Sequence, residues 1–338
     1  MIILFCHFRT PLPKHLYLNI QRTISLFPHI EVHLLTDQNL KSIKIDNLVI
    51  DVYSPSKDWF ELEALLQHPK EFRNNFWFTS LARFIAISEL SRTIRKQILH
   101  LESDVIISSD FPFDKFTNLN CSFSFPIVSS SLAISSTLYI KDSISAKYLA
   151  ELTMKIARED RNTTDMHVLR ELSLDANANF QLLPSALSDR YSPSIVNSDF
   201  ISMNEIGLSY FNGLFDGFDY GRYLFGVDPR NARGVSKVRQ RDNSVYLNVS
   251  KVLIVTDDKR DFPYFLDLES NRKLPIFSLH IHSKNSKYFI IGKSEKAIRK
   301  AIKDSLKGPA IHVYPIITLK AVIVSLKRKL NRMLQSDE

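Results

Sequence analysis

Glu102 and Asp104 stand two residues apart inside an otherwise apolar run, with Ile98-Leu99-His100-Leu101 before them and Val105-Ile106-Ile107 after. Charge in a buried strand is costly unless it is paired or holds a metal, so two carboxylates there point to chemistry. In an extended strand residues i and i+2 share a face, which aims both carboxylates one way and turns the small Ser103 aside. Hard cations such as Mg²⁺ and Mn²⁺ take carboxylate oxygens and leave positions for water and phosphate, so a pair at a strand end suffices. A second polar string, Ser278-Leu279-His280-Ile281-His282-Ser283-Lys284, follows the apolar run Leu274 to Phe277. Strand alternation puts His280, His282 and Lys284 on one face, with Leu279 and Ile281 on the other. One imidazole completes a cation's coordination and favours Mn²⁺ over Mg²⁺, while the lysine offers a compact positive charge to a phosphate. Glu102, Asp104, His280 and His282 are thus the expected metal ligands, and Lewis-acid stabilisation of a departing phosphate is the chemistry they support.

Each of these residues has a plainer use. An isolated Glu-x-Asp is commonly a solvated turn, and two histidines on an exposed strand face bond to neighbours. Asp216 and Asp219 lie among five of the chain's eight glycines (Gly207, Gly213, Gly217, Gly221 and Gly226), a density that marks tight turns or close backbone approach. Beside glycine, aspartate is also a turn former. Asp37 suits a helix N-cap as well as a ligand. Arg83 fits an ordinary ion pair, and Asp228-Pro229-Arg230 reads as a turn with a salt-bridging arginine.

The elements that must position these groups are legible in part. Ile2 to Phe8 is short and apolar and is stopped by Arg9, Pro11 and Pro13, so it reads as a buried strand. Leu16 to Phe27 has helical apolar spacing, and Ile30 to Leu35 is a second strand ending at Thr36-Asp37. A β-α-β opening predicts an α/β fold with a mainly parallel sheet, whose ligands sit at the carboxyl ends of the strands. His7, Phe8, Arg9 and Asp37 therefore lie where a nucleotide would lie. Trp77 to Leu90 places Trp77, Leu81, Phe84 and Ser88 along one stripe of an amphipathic helix, with Arg83 at the stripe's edge. Thr137 to Ile140 reads as a strand and Ile144 to Ala157 as a helix, with no chemistry evident between residues 122 and 187.

Composition bounds the rest. The 338 residues carry 44% hydrophobic and 24% charged side chains, including 23 Phe and 12 Tyr, as an ordered globular chain does. Only Cys6 and Cys121 are present, so there is no disulfide framework and no Cys-x-x-Cys pair to suggest structural zinc, which suits a reducing, cytoplasmic compartment. The opening apolar run is too short for a signal sequence, and no stretch is long enough to span a membrane. The net charge is +8, yet residues 293 to 334 hold eleven Lys and Arg against Glu295 and Asp304. The body is close to neutral, which disfavours a nucleic-acid partner. Within the basic end, Leu319, Val322, Ile323, Leu326, Leu330, Met333 and Leu334 keep helical spacing. Residues 318 to 334 thus predict a basic amphipathic helix, docked on the protein's own core or lying on an anionic membrane surface as a peripheral anchor. The division expected is a domain over 1–292, with halves at about 1–125 and 126–292, and an extension over 293–338.

The string Ser80-Leu-Ala-Arg83-Phe-Ile-Ala-Ile-Ser-Glu-Leu90, followed by Ile98 to Phe111, resembles the GT-A glycosyltransferase superfamily. In that superfamily an arginine on a helix precedes a hydrophobic strand ending in an Asp-x-Asp metal motif. Glu102 departs conservatively from the first aspartate, and the fuller His-to-Lys-Pro-Trp motif of the glycogenin-like branch is missing. The glycine-rich segment and Leu279 to Lys284 are similar to bacterial surface-polysaccharide transferases. The resemblance, over residues 1 to about 290, implies Asp104 as principal metal ligand and Glu102 as ligand or ribose contact. It further implies Arg83 at the diphosphate or ribose, Ser103 and Lys284 among the nucleotide-sugar contacts, and Asp216 or Asp219 as acceptor-positioning group or general base. The implied activity is transfer of a sugar from a nucleotide donor, by family frequency UDP-linked, to a glycan or lipid-linked acceptor of a surface polysaccharide. Two rivals use the same residues: another metal-dependent nucleotide or phosphate enzyme, and a non-catalytic nucleotide-sugar-binding protein. Against the first, no glycine-rich phosphate loop follows the first strand.

Overall fold

In a computed structural model, residues 1–40, 43–128, 132–191, 197–226 and 252–306 are described. Asp228, Arg230 and the stretch 318–334 lie outside the described residues. The first strand, β1 (Ile2–His7), is followed by α1 (Lys14–Leu26), β2 (Glu31–Thr36) and β3 (Leu48–Val52). Then come α2 (Lys57–Leu65), α3 (Phe76–Ile94), β4 (Ile98–Leu101), β5 (Val105–Ile107), α4 (Phe113–Thr117), β6 (Phe123–Phe125) and β7 (Thr137–Ile140). The second half contributes α5 (Ser143–Glu159), α6 (Asp165–Leu174), β8 (Phe180–Leu182), α7 (Ser198–Phe211), β9 (Leu214–Phe215) and α8 (Asp219–Phe225). It ends in β10 (Val252–Val255), β11 (Tyr264–Asp267), β12 (Lys273–His280) and α9 (Ser294–Leu306).

Two sheets share the chain. The larger is seven-stranded in the order β3-β2-β1-β4-β7-β6-β8. β1, β2, β3 and β4 run parallel, β7 is antiparallel to both β4 and β6, and β8 is parallel to β6. The fold is therefore mixed α/β with a mainly parallel sheet flanked by helices, as the opening β-α-β pattern predicts. Ile2, Ile3, Leu4 and Phe5 are all 0% exposed, so β1 is buried on both faces, which is why it reads as a continuous apolar run. The smaller sheet joins β10, β11, β12 and β5 in that order, with β9 added alongside β12.

Two expectations need correction. The helix over Trp77 to Leu90 is real, but it is not amphipathic: Phe78, Leu81, Ala82, Phe84, Ile85, Ala86 and Ile87 are all buried. It is covered by α2, α5 and α6, and its buried residues belong to the core that also holds Ile2 and Leu4 of β1, so apolar residues occupy every side of it. The run from Ile98 to Ile107 is not one strand. The chain leaves the large sheet after Leu101, turns at residues 102–104, and enters the small sheet as β5, paired antiparallel with the end of β12.

The small sheet is pinned to the body by buried charge. Arg190, 2% exposed, forks onto Asp267 at the end of β11, with Nη2 donating to Oδ2 at 3.0 Å, and also reaches Glu269 at 2.8 Å. Arg260 grips Asp110 at 2.7 Å and donates to the Ile276 carbonyl of β12 at 2.8 Å. α9 buries Ile298 and Ile302 in the main core, so the beginning of the expected extension over 293–338 packs on the body.

The Arg190 fork holds the Asp267 carboxyl well below the usual carboxylate range. A depressed folded-state value contributes stability above the unfolded value of about 3.9, and that contribution is lost as pH falls toward the folded value. Asp267→Asn is expected to lose about 3 kcal/mol at pH 7, because a buried guanidinium is left short of its partner. Denaturant melts from pH 7 to 3 should also show a flatter acid limb for the variant than for wild type; parallel limbs would refute this account.

Candidate metal centre

The turn between the two sheets brings the two carboxylates together. The Glu102 amide donates to the Ser136 carbonyl at 3.2 Å, and the Val105 amide closes the turn onto the Glu102 carbonyl at 3.0 Å. Glu102 and Asp104 thus converge through a turn and not, as strand alternation would have it, through i, i+2 placement on one strand face. The Asp104 side chain is 8% exposed and that of Glu102 17%.

The other half of the site is the end of β12. His280 accepts its orientation from the backbone: Nδ1 lies 2.8 Å from the Gly217 carbonyl, so Nδ1 carries the proton that donates there. Its Nε2 then faces Asp104 Oδ1 at 3.3 Å and Glu102 Oε2 at 3.5 Å. Beyond His280 the strand ends, which corrects the expectation of one strand face carrying all three residues. The His282 amide donates to the His280 carbonyl at 3.0 Å and the Lys284 amide to the Ile281 carbonyl at 2.8 Å. Lys284 adopts a left-handed φ of 50°. This reversal stacks the two imidazoles, with centroids 3.9 Å apart and planes at 23°, and returns Lys284 Nζ to 3.4 Å from Asp104 Oδ2.

The glycine-rich segment braces this turn from behind. Asp216 is 0% exposed, and its carboxylate accepts backbone N–H groups from Tyr220 (3.0 Å), Gly221 (2.7 Å) and His280 (3.0 Å). Burial pushes its carboxyl up to about 6, against those hydrogen bonds and the His280 charge. Its geometry is that of a brace between α8 and β12. Gly221 packs so closely that a Cβ there would lie 1.8 Å from the His280 carbonyl oxygen, so the glycine is required by contact.

The electrostatics follow from crowding. Burial pulls the His280 imidazole down, but Asp104 and Glu102 outweigh it and raise it to about 9. Burial and the His280 charge hold His282 well below the ordinary histidine range, so its imidazole is neutral. Burial opposes ionisation of Asp104, yet Lys284 and His280 keep it well below the usual carboxylate range; Arg83 and His280 do the same, more weakly, for Glu102. Asp104, His280 and His282 each offer a ligand atom, all within 4.8 Å of one another. His282 Nε2 is buried with no hydrogen-bond partner, as an imidazole nitrogen meant for a cation would be. One carboxylate oxygen and two imidazole nitrogens, with Glu102 beside them, fit a divalent transition ion.

A second cluster adjoins the first. Arg83, 9% exposed on α3, hydrogen-bonds to Ser135 and Asp165 and lies 3.1 Å from Glu102, whose Oε1 also accepts from Ser135 at 2.7 Å. Burial and the Glu102 charge push the Asp165 carboxyl up, against the pull of Arg83. Sequence reasoning passed over Ser135 and Asp165. The one available signal is Thr164-Asp165 at a helix start, where Thr164 caps α6 by accepting from the His167 amide at 3.4 Å. Arg222 was also passed over. It follows Gly221, its Nε is buried without a partner, and its charge acts on His282.

Of the other expected contacts, His7, Phe8, Arg9 and Asp37 are held by partners outside this cluster, while Ser103 lies in the turn itself and Asp219 beside its brace. Phe8 is a core residue, edge-on to Trp59 and Tyr53 at 5.1 and 5.9 Å. Arg9 is forked onto Glu63 at 2.6 Å, and its amide donates to Asp37 at 2.9 Å, so Asp37 holds a turn and is not a helix cap. His7 lies 2.8 Å from the Thr10 carbonyl. The Ser103 hydroxyl lies 3.4 Å from His15. Asp219 opens α8 and is 4% exposed.

No protein-family description matches the chain, and no curated protein matches it. Solved structures do. A galactosyltransferase, LgtC, in complex with donor and acceptor sugar analogues is 12% identical with a TM-score of 0.39, over 54% of this chain and 73% of that one. Mouse xyloside xylosyltransferase 1 is 9% identical with a TM-score of 0.36, over 54% of this chain and 84% of that one. The glycosyltransferase GlyE of Streptococcus pneumoniae is 14% identical with a TM-score of 0.41, over 96% of this chain and 63% of that one. These are distant likenesses of fold.

Gly221→Ala is expected to push the His280 carbonyl and its ring away from Asp104, weakening Mn²⁺ binding by about tenfold or more. Gly292→Ala is the control: φ is +69° there, but nothing lies within 4 Å of a Cβ, so it should cost about 1 kcal/mol of strain and leave Mn²⁺ affinity alone. Equal affinities for the two variants in a Mn²⁺ titration would contradict the packing argument.

Proposed function

We propose that this chain is a divalent-cation-dependent glycosyltransferase that moves a sugar from a nucleoside diphosphate, UDP by preference, to a glycan or lipid-linked acceptor of a surface polysaccharide. The observation that supports it most is the meeting of Asp104, Glu102, His280, His282 and Lys284 from two sheets. Asp104, His280 and His282 would hold the ion, with Glu102 beside them, and nitrogen ligands favour Mn²⁺ over Mg²⁺. When bound, such an ion supplies Lewis-acid stabilisation of a departing diphosphate.

The chain's own groups do the remainder. Lys284, 3.4 Å from Asp104, sets a positive charge beside the ligands, where it can transfer its contact to a phosphate oxygen. Arg222 adds a guanidinium whose buried Nε has no hydrogen-bond partner. The Arg83, Ser135, Glu102 and Asp165 network offers fixed donors and acceptors to hydroxyls of the donor. With Asp216 committed to three backbone amides, Asp219 is the carboxylate we assign to the acceptor. Asp37, His7 and Arg9, at the ends of β1 and β2, remain assigned to the base and ribose side. No helix among the described residues is long and apolar enough to cross a membrane, and the basic stretch 318–334 is the segment we assign to an anionic surface.

Thermal melts against a panel of nucleoside diphosphates and their sugars test this directly. One nucleotide should raise the melting temperature by about 4 °C at a hundredfold excess over Kd, because a ligand that binds only the native state stabilises it. The shift should require both Mn²⁺ and Asp104, and vanish in Asp104→Ala. A folded wild type that responds to no nucleotide would sink the donor site. Release of free phosphate or pyrophosphate in place of nucleoside diphosphate would move the assignment to a phosphate-cleaving or nucleotidyl-transferring enzyme.

A further inference from the structure

β5 is the edge strand of the small sheet, and one side of it is paired with β12. On that side the Ile281 amide donates to the Asp104 carbonyl at 2.7 Å, and the Ser108 amide donates to the Phe277 carbonyl at 2.9 Å. The strand period of two then turns the carbonyls of Ser103, Val105 and Ile107 the other way, where no strand lies among the described residues. Buried carbonyls without partners would be costly. They are met by the side chains of α1. Asn19 Nδ2 donates to the Val105 carbonyl at 2.7 Å and to the Ser103 carbonyl at 3.3 Å, and Arg22 Nη1 donates to the Ile107 carbonyl at 2.6 Å. One turn earlier, His15 lies 3.4 Å from the Ser103 hydroxyl. His15, Asn19 and Arg22 fall at i, i+4 and i+7, a single face of the helix.

Asn19 is 0% exposed and Arg22 1%, so neither is there for solubility. Burial pulls the Arg22 guanidinium down to about 10, a penalty that an apolar residue would avoid. The chain therefore keeps a charged and an amide side chain in its interior, where they donate hydrogen bonds to the backbone of the turn and strand that carry Glu102 and Asp104.

We infer that Asn19 and Arg22 are positioning residues for the metal centre, a side-chain ladder that takes the place of a neighbouring strand and fixes the turn bearing Glu102 and Asp104. The inference rests on the divalent-cation reading of that turn. Neither residue touches the ligand; each acts by setting where the Asp104 backbone, and with it the carboxylate, stands relative to His280 and His282.

The test uses the full chain with Mn²⁺ alone as probe, following free Mn²⁺ by electron paramagnetic resonance, with denaturant melts run in parallel. Asn19→Ala should weaken Mn²⁺ binding about tenfold or more, the effect typical of outer-shell partners. Arg22→Met should weaken it too, whereas Arg22→Lys, which keeps one donor for the Ile107 carbonyl, should stay within about threefold of wild type. A merely structural role would lower the melts and leave the affinity of the folded protein unchanged. A folded Asn19→Ala protein with wild-type affinity overturns the inference. If Asn19→Ala does not fold, equal Mn²⁺ affinities for Arg22→Met and Arg22→Lys overturn it equally. Wild-type protein that binds no Mn²⁺ would remove the metal reading itself, and that result is separate because it appears before any substitution.

Discussion

Two buried carboxylates, Asp104 and Asp165, and the half-buried Glu102 share this site, and the rest of it exists to make that tolerable. Ionised acids withdrawn from water cost several kcal/mol each unless cations and hydrogen bonds stand against them. Arg83 answers two of the acids, His280 bridges Glu102 and Asp104, and Lys284 takes the far oxygen of Asp104. These groups come from α3, the start of α6, the turn after β4 and the end of β12. The requirement that they meet couples both sheets and the helices over them.

The junction of the sheets is what makes the meeting possible. A continuous strand through residues 98–107 would leave Glu102 and Asp104 inside one sheet, with no second element approaching end-on. By turning at residues 102–104, the chain presents both acids to the terminus of β12, which arrives antiparallel to β5 with His280 opposite Val105. The precision is supplied by backbone. Gly217 fixes the His280 tautomer, Asp216 ties α8 to the His280 amide, and Gly221 lets α8 approach to contact. Groups locked in this way need little reorganisation when a ligand arrives, which is how a preorganised site gains its effect.

What could be read in the sequence follows from the range of the forces involved. Strand β1, helix α1, strand β7 and helix α5 fall within a few residues of their expected bounds, because apolar periodicity is local. Glu102, Asp104, His280 and His282 were identifiable because charge in an apolar run is a local anomaly, although the geometry inferred for them was strand alternation and the actual geometry is two turns. Asp165 gave almost no signal, since its meaning lies in Arg83, 82 residues away. Phe8 and Arg9 show the same limit from another side: their place after β1 is a local fact, while Trp59, against which Phe8 packs, and Glu63, which pairs with Arg9, lie on α2 and are distant in sequence. The all-round burial of α3 was likewise hidden, because which helices cover it is a tertiary fact.

In the proposed function the charge balance of the centre would link the cation and the nucleotide. Glu102, Asp104 and Asp165 stand against Arg83, Lys284 and the proton that burial alone would remove from His280 but that Asp104 and Glu102 retain. Ligation through His280 Nε2 requires that proton to leave, since the same lone pair serves both. Exchanging one proton for a doubly charged ion leaves the cluster with an added positive charge in a water-poor site. An anionic diphosphate would answer that excess, and Lys284, relieved at Asp104, would turn toward it. Cation and nucleotide should therefore each strengthen the other's binding, by an equal factor in both directions, because the coupling is a single free energy.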